Sequence, residues 1–424
     1  MQIRNNGKIS MNLAVVIEKI SINLAVVIEK ISINLAVCEN KLISLQPKRK
    51  RIMIHRSIEQ LIKKDFGKGK IITLMGARQV GKTTLFDSIT ANMDSVLRLN
   101  CDNHDDRARL EDKTSTELRQ LIGNHSIVLI DEAQRVRNIG LTLKMMADLK
   151  TDSQILVTGS ASFVIANEIN EPATGRLIEY TLYPLSLGEL AAHSSPREEQ
   201  RLLEQRMIFG AYPDVVTAPD DARRTLTNLA NNYLYRDLLE YRGVKKPEVM
   251  QKLVRALALQ IGSEVSYNEL SRLIGIDKET VESYIDLLEK CFVIFRLPAF
   301  SRNIRTEIKR GRKIYFYDNG IRNALISNFA PLDLRTDSGA LWENLMVSER
   351  VKRNAYRQSY AQLYFWRTTQ QQEIDLIEEC DGGLQAFEFK WKPRKARLPK
   401  PFAESYPGTE LQTITTDNYT GFIY

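Results

Sequence analysis

Short apolar runs alternate with segments of helical composition over the first part of the chain. The run 70–75 ends on a glycine and predicts a buried parallel strand. Three further runs of this kind follow it, with a helical segment after each of the first three strands. The predicted strands after 70–75 are 96–100, 126–130 and 154–158, and the predicted helices are 83–93, 117–122 and 141–149. Because strands that alternate with helices form parallel sheets with helices on both faces, the pattern predicts an α/β domain.

The pattern changes from about Pro184, where most segments are helical, including 233–239. Two helices at 267–273 and 278–290 are separated by a turn at Gly275, and the apolar strand 292–295 follows them. This order predicts a helix-turn-helix with a candidate wing. The chain then returns to an α/β pattern, with a predicted helix at 342–351 and strands at 363–366, 373–377 and 385–389.

The N-terminal region carries a repeat. Between Ser10 and Cys38 begin three near-copies of an eleven-residue unit: MNLAVVIEKIS, INLAVVIEKIS and INLAVCENKLI. Glu-Lys pairs interrupt the apolar runs, so none reaches the ~20 residues that a membrane helix needs, and no small-residue cleavage site marks a signal peptide. We therefore expect neither a membrane span nor a membrane partner. The near-identity of the copies suggests a recent duplication. Met53 stands just before the first folded element, and we expect residues 1–52 to be dispensable.

Composition narrows the function classes only slightly. A chain of 424 residues with 43% hydrophobic content can form two or three globular domains. The formal charge of +8 and the pI near 9.1 permit a nucleic-acid partner and equally describe an ordinary basic protein. The four cysteines and four histidines are dispersed. We therefore expect no disulfide framework and no structural zinc site, and a reducing, cytoplasmic location.

A complete phosphate-binding loop follows the first predicted strand. It comprises Gly76, Ala77, Arg78, Gln79, Val80, Gly81, Lys82 and Thr83, and Thr84 comes next. The glycines allow the backbone to curl so that successive N–H groups face the phosphates, and the following helix presents its N-terminus to the anion. Lys82 is expected to reach the β- and γ-phosphates, and the Thr83 hydroxyl to bind Mg²⁺. The position between a strand and a helix supports ATP and Mg²⁺ as cofactors.

Two acidic residues follow the third predicted strand. Asp131 is expected to hold Mg²⁺ through water, and Glu132 to orient and polarise the attacking water. An acidic pair after an apolar strand is common, and it becomes informative here because the phosphate-binding loop accompanies it.

Two further residues are weaker candidates. Ser160, at the end of the fourth predicted strand, is a candidate for contact with the γ-phosphate or the attacking water, and a tight turn explains it equally well. Arg176 is a candidate arginine for stabilising charge in the transition state, acting in its own chain or in a neighbouring one. A lone arginine is more often a solvated surface group.

The order of these motifs resembles that of AAA+-type P-loop ATPases of bacteria and archaea that carry a C-terminal domain of unknown function. Residues 70–190 carry GARQVGKTT, IDEAQ, TGSAS and YPLSLGEL, and later residues carry YLYRDLLEY, GALWENL, YFWRT, EIDLIEE and EFKW. The resemblance implies a P-loop ATPase, a helical connector with a winged helix, and a terminal domain similar to restriction-endonuclease-like folds. It covers most of the chain after Met53, and the N-terminal repeats have no place in it.

Acidic residues near the C-terminus form a second candidate site. Glu343 lies on a predicted helix, Asp375 lies in a predicted strand, and Glu388 precedes Lys390 by two positions, which puts both on one face of a strand. Acids at the ends of adjacent strands can hold one or two Mg²⁺ ions, with a lysine to assist the attacking water. The arrangement looks like the PD-(D/E)XK nuclease signature. The alternatives are a retained fold used for binding, or solvated strand ends.

Basic stretches flank this site and are compatible with DNA. The first comprises Arg302, Arg305, Lys309, Arg310, Arg312 and Lys313, and the second Lys390, Lys392, Arg394, Lys395, Arg397 and Lys400. Solvated loops explain both stretches equally well. Trp366 and Trp391 are candidates for base stacking, although core packing is the more frequent role. Glu282, Asp286 and Glu289 on the second helix of the helix-turn-helix would repel phosphates, which favours a protein partner.

The sequence leaves two functional hypotheses. In the first, ATP hydrolysis licenses a metal-dependent nuclease in the C-terminal domain; in the second, the ATPase is a regulatory switch whose C-terminal domain binds protein or DNA without cutting it. The predicted divisions are a dispensable extension at 1–52, an ATPase domain at 53–190, a helical connector with winged helix at 191–310, and a nuclease-like α/β domain at 311–424. An oligomer is compatible with this organisation.

Overall fold

The computed structural model describes residues 53–160, 175–234, 246–301 and 311–424, and the side chains of 232–234 are not included. The N-terminal repeats, the predicted helix from residue 235 onwards and the basic residues 302–310 lie outside the described part. Residues 54–424 form one compact unit. Within the described residues no helix is long and apolar enough to cross a bilayer.

The first region is a five-stranded parallel sheet with helices around it. The strand order is β2-β3-β4-β1-β5, and every neighbouring pair is parallel. Its elements in chain order are α1 Glu59–Lys64, β1 Ile71–Met75, α2 Lys82–Thr90, β2 Val96–Asn100, α3 His104–Ala108, α4 Ser115–Ile122, β3 Ile127–Asp131, α5 Ile139–Asp148, β4 Gln154–Gly159 and β5 Leu177–Thr181. The three central strands are buried almost throughout, which is why they read as continuous apolar runs.

Four of these strands were predicted, and the fifth was missed. β5 pairs with β1 at the edge of the sheet and is only half-buried. Its sequence, LIEYT, mixes polar with apolar residues, so it lacks the apolar run that identified the other strands. The three main predicted helices of this region are present as α2, α4 and α5. A capping box at Thr114 and Glu117 fixes the start of α4.

A mainly helical region follows. Its helices are α6 Leu187–His193, α7 Pro196–Arg201, α8 Leu203–Phe209, α9 Pro213–Thr217, α10 Ala222–Asn228 and α11 Pro247–Leu259, with a π-helical segment at Leu229–Leu234. Next come β6 Glu264–Val265, α12 Tyr267–Ile274, α13 Lys278–Lys290, β7 Ile294–Pro298 and β8 Arg312–Phe316. Gly275 is left-handed between α12 and α13, as a helix C-cap requires. β8 pairs antiparallel with both β6 and β7.

The remaining elements build a four-stranded mixed sheet and its helices. They are α14 Asn319–Leu325, α15 Ser338–Arg357, β9 Gln362–Arg367, β10 Glu373–Cys380, β11 Gly383–Phe389, α16 Lys400–Ser405, β12 Glu410–Ile414 and α17 Tyr419–Ile423. β9, β10 and β11 are antiparallel neighbours, and β12 lies parallel to β11. One hydrophobic core joins this sheet and α15 to α6 and α8.

The structure corrects the prediction that all of the basic residues near the C-terminal site are exposed. Lys313, predicted within an exposed basic stretch, lies in β8 with only 1% of its surface exposed. Lys392, Arg394 and Lys395 in the second stretch are exposed. Both tryptophans pack against other aromatic rings: Trp366 contacts Phe402, and Trp391 contacts Trp342. Core packing thus accounts for both, as expected from their usual role.

Candidate functional site

The predicted phosphate-binding loop connects the C-terminal end of β1 to α2. The N–H of Leu182, just after β5, donates to the carbonyl of Met75 over 2.7 Å and fixes the strand where the loop departs. Gly81 is left-handed (φ 96°) and forms the N-cap of α2, a conformation that favours glycine. The buried ammonium of Lys82 donates to the carbonyls of Gly76 and Ala77, each over 2.9 Å. The lysine therefore lies directly over the loop that would receive phosphate.

Asp131 is the last residue of β3, and its carboxylate lies next to the start of α2. The Thr83 hydroxyl lies 3.2 and 3.0 Å from the two carboxylate oxygens of Asp131. Thr158 on the neighbouring strand β4 also donates its hydroxyl to Asp131. A hydroxyl and a carboxylate side by side provide the oxygen ligands that Mg²⁺ prefers. The predicted metal pair is therefore adjacent in space, and Thr158 is a partner that the sequence did not identify.

Glu132 occupies a left-handed backbone position at the end of β3 (φ 54°). Its N–H donates to the Thr158 hydroxyl over 3.1 Å, and its carboxylate accepts from the Gln134 side chain. The same Gln134 amide lies 3.0 Å from Ser160 Oγ. A positive φ at a residue other than glycine is uncommon and is often found at functional positions. Gln134 thus links Glu132 and Ser160, a connection that only the proximity of β3 and β4 reveals.

Arg176 lies apart from this group. Its carbonyl accepts from the N–H of Ile71, at the start of β1, whereas the loop begins at the other end of that strand. Its guanidinium pairs with Asp148, with Nε 2.7 Å from Oδ1. The structure does not bring Arg176 to the phosphate-binding loop of its own chain, and the action expected of it would require a neighbouring chain.

The C-terminal candidates come together around Asp375. Asp375 is 7% exposed, and its carboxylate accepts from the N–H of Phe389 over 2.8 Å. Glu388 accepts from Lys390 Nζ over 2.7 Å, and Tyr315 donates its hydroxyl to Glu343 over 2.6 Å. The pKa of Asp375 lies well above its usual value because burial disfavours the charged form and Glu343 and Glu388 add negative potential.

A buried lysine that the sequence did not assign to this site completes the cluster. Lys313 Nζ lies 2.9 Å from Glu343 Oε1 and also pairs with Glu373. Burial opposes its charge, but Glu343 and Asp375 outweigh this effect and raise its pKa. Among the residues that the structure describes, no group of three or more His, Cys, Asp or Glu side chains is arranged to hold a metal ion. Lys313 and Lys390 both bring positive charge to these carboxylates.

The acids of the helix-turn-helix are partly neutralised, which the sequence did not predict. Arg296 on β7 pairs with Asp286 over 2.6 Å and also with Glu289. Glu282 remains exposed on α13. The predicted repulsion of phosphates by this helix is therefore weaker than the count of its acids suggests.

Comparisons with known proteins divide the chain into three matched regions. Residues 68–191 match a family described as an AAA domain, and residues 200–332 and 338–417 each match a domain of unknown function. The sequence is 28% identical over 326 residues to an uncharacterized protein of Mycobacterium tuberculosis, covering 76% of this chain and 70% of that protein. It is 24% identical over 412 residues to an uncharacterized protein of Methanocaldococcus jannaschii, covering 90% and 89% respectively.

Among solved structures, a Walker-type ATPase of Pyrococcus abyssi aligns with a TM-score of 0.46 and 16% identity, covering 66% of this chain and 99% of that one. Because residues 68–191 match the AAA-domain family, they form an ATPase-like domain of the AAA type, and this domain contains the P-loop.

Proposed function

We propose that this protein is a Mg²⁺-dependent ATPase that acts as a regulatory switch. The observation that carries the proposal is the contact between Thr83, at the start of the P-loop helix, and Asp131, at the end of β3. Mg²⁺ bound by these residues would neutralise charge on the β- and γ-phosphates. Lys82 would exchange its two carbonyl partners for phosphate oxygens. Glu132, oriented by Gln134, would position the attacking water.

ATP hydrolysis is tested by comparing the wild-type protein with Lys82→Ala. We expect ATP binding or turnover to be lost in the variant because the phosphates lose their cation. Turnover is measured with and without single- and double-stranded DNA. Stimulation by DNA that disappears in Lys82→Ala would support a nucleic-acid partner, whereas turnover indifferent to DNA would favour a protein partner. Wild-type turnover by Lys82→Ala would refute the assignment of the P-loop.

The charge balance of the C-terminal cluster favours the switch over a nuclease. This cluster comprises Lys313, Glu343, Glu373, Asp375, Glu388 and Lys390. Lys313 is fixed between Glu343 and Glu373, so two carboxylates already have a cationic partner. A nuclease of the two-metal type needs carboxylates available to Mg²⁺. The C-terminal domain is therefore proposed to bind a protein or nucleic acid without cutting it.

A metal-dependent nuclease is the second candidate, and one observation favours it. Asp375, Glu388 and Lys390 lie in one cluster to which helix α15 contributes Glu343, and this proximity supports the proposed PD-(D/E)XK site. The order of α15, three antiparallel strands, a helix and a parallel strand is compatible with a restriction-endonuclease-like fold. Likewise, helices α11, α12 and α13 and the sheet β6-β8-β7 support a winged helix in the connector region.

The two candidates are separated by assaying DNA cleavage in Mg²⁺ and Mn²⁺, with and without ATP. The wild type is compared with Asp375→Asn and with Lys313→Met. Cleavage by the wild type that Asp375→Asn abolishes would establish the nuclease and exclude the switch-only proposal. Equal cleavage by the wild type and by Asp375→Asn would indicate a contaminating nuclease. We expect no cleavage by the wild type.

A further inference from the structure

Arg56 is a buried arginine that contacts four separate parts of the fold. It is 6% exposed and lies three residues before α1. Nε donates to Glu189 Oε1 over 3.0 Å, and Nη1 donates to the carbonyl of Val80 over 2.7 Å. Nη2 donates to the carbonyl of Tyr183 over 2.7 Å and to the hydroxyl of Tyr356 over 3.3 Å. Because a guanidinium group is planar and rigid, it holds all four acceptors in one fixed arrangement.

The bond to Val80 acts on the P-loop itself. In a trans peptide the C=O and the following N–H point in opposite directions. The N–H of Gly81 therefore faces away from Arg56 as long as the Val80 carbonyl faces toward it. Backbone N–H groups of this loop are the donors that cradle phosphates. Arg56 thus fixes the direction of one of these donors through its bond to the Val80 carbonyl.

Glu189 fixes the guanidinium from the other side. The carboxylate is 1% exposed and also accepts from the N–H of Ser57 over 2.9 Å. It forms a capping box with Ser186 at the start of α6. Since both the acid and the arginine are held by backbone contacts, the pair has little freedom to rearrange alone. A movement of the loop at Val80 therefore has to be shared by the other partners of Arg56.

One of those partners belongs to helix α15. The Tyr356 hydroxyl accepts from Arg56 and also from the N–H of Tyr183 over 3.2 Å. Thirteen residues earlier on the same helix, Glu343 contacts Lys313 in the C-terminal cluster. At about 1.5 Å per residue, the two positions are roughly 20 Å apart along one continuous helix. Such a helix can transmit a displacement at one end to the other.

We propose that Arg56 is a positioning residue for the P-loop and that its bond to Tyr356 couples nucleotide binding to helix α15 and the C-terminal cluster. This inference rests on the proposed ATPase function and adds the route by which ATP would reach the C-terminal domain. When nucleotide occupies the P-loop, the Val80 carbonyl moves and the guanidinium of Arg56 moves with it. The hydrogen bond from Arg56 to the Tyr356 hydroxyl then displaces the end of helix α15.

The test uses the full chain and two readouts: the affinity for a fluorescent ATP analogue, and hydrogen–deuterium exchange of residues 338–357 with and without ATP. Arg56→Lys keeps the positive charge and removes the planar set of donors that contacts the four acceptors. Tyr356→Phe removes only the hydroxyl. Arg206→Lys is the control for Arg56, because Arg206 is an equally buried arginine that pairs bidentately with Glu199 away from the loop. Tyr360→Phe, which is 82% exposed, is the control for Tyr356.

We expect Arg56→Lys to lower the affinity for the ATP analogue by about tenfold, within the usual range of coupling between sites. Tyr356→Phe is expected to bind the analogue and to lose more than half of the ATP-dependent change in exchange of α15. Both controls should behave as wild type. If wild-type exchange of α15 does not respond to bound ATP, or if Tyr356→Phe responds fully, the coupling is refuted while the ATPase stands. If the wild type binds no ATP, the proposed function and this inference fail together.

Discussion

At the residue scale, both sites depend on side chains whose partners lie far away in the sequence. Asp131 is bonded by Thr83 and Thr158, which belong to different elements of the sheet domain. Asp375 is surrounded by charges from α15, β8 and β11. The acids could be identified from the sequence, because Asp131 follows a strand next to the P-loop motif and Asp375 lies in a strand near the Glu388 and Lys390 pattern. The protonation states of these acids and their neighbours could not be predicted, because both depend on which strands are adjacent.

Glu132→Gln is expected to bind ATP and to hydrolyse it at least tenfold more slowly. Glutamine keeps the shape and the contact with Gln134, but it cannot polarise the attacking water as a carboxylate does. Single-turnover hydrolysis and ATP affinity are measured separately. Glu111→Gln serves as the control, since this acid contacts the backbone of Arg137 instead of the loop. Undiminished hydrolysis would show that another group positions the water.

Asp375→Asn is expected to raise thermal stability at pH 8 and to have less effect near pH 4. The folded-state pKa of Asp375 lies above its unfolded value of about 3.9, so the native state holds this proton more tightly. The associated stability is present at low pH and is lost as the pH rises through the folded pKa. Asparagine cannot ionise and can still accept from Phe389.

The measurement is the melting temperature of both proteins across pH 4–8, at equal ionic strength. The exposed Asp381, on the turn after β10, provides the matched control Asp381→Asn. A difference between wild type and Asp375→Asn that stays constant with pH would contradict a raised pKa at this position.

At the scale of elements, the close approach of β1 to the segment after β5 determines where the P-loop begins. A Cβ atom on Gly76 would lie 2.2 Å from the backbone carbonyl oxygen of Leu182. This segment cannot yield easily, since Leu182 bonds the end of β1. The glycine in the motif was evident from the sequence. The close contact with Leu182 that requires this glycine was not evident, because the sequence did not reveal β5.

Gly76→Ala is therefore expected to reduce ATP affinity by more than tenfold. It is also expected to lower the melting temperature by several degrees, because overpacking typically costs about 1–3 kcal/mol of folding stability. Gly339→Ala is the control, because nothing lies within 4 Å of the added Cβ in α15. Alanine there should be neutral or slightly stabilising. Wild-type affinity in Gly76→Ala would mean that the loop accommodates the methyl group by moving away from Leu182.

At the scale of the whole molecule, the segment from Ile54 to α1 is part of the folded unit. Arg56 joins the P-loop to α6 and α15, and Ile58 and Ile62 are buried in the core of the sheet domain. The sequence placed the beginning of the folded protein near Met53. It could not show how much the next few residues contribute, because a single arginine before a short helix carries no recognisable pattern.

A protein that begins at Met53 is expected to retain wild-type ATP turnover and melting temperature. A second protein that begins at Gly67 loses Arg56 and the buried residues of α1, and it is expected to aggregate or to melt well below the wild type. Turnover and thermal unfolding are compared for both proteins. Loss of turnover in the longer protein would contradict the prediction that residues 1–52 are dispensable.

The sequence by itself determined the P-loop, the acidic pair after β3 and four strands of the parallel sheet. It also predicted α12, α13, β7, α15 and the strands β9, β10 and β11, but not β6, β8 or β12. These features depend on local residue patterns: apolar runs, glycine spacing and acids at strand ends. The tertiary structure decided that Lys313 is a buried partner of Glu343, that Thr158 and Gln134 support the acidic pair, and that Arg56 connects the P-loop to α15. Apart from the contact of Gln134 with Glu132, two positions away, these contacts join residues 24 to 300 positions apart, and no local pattern specifies them.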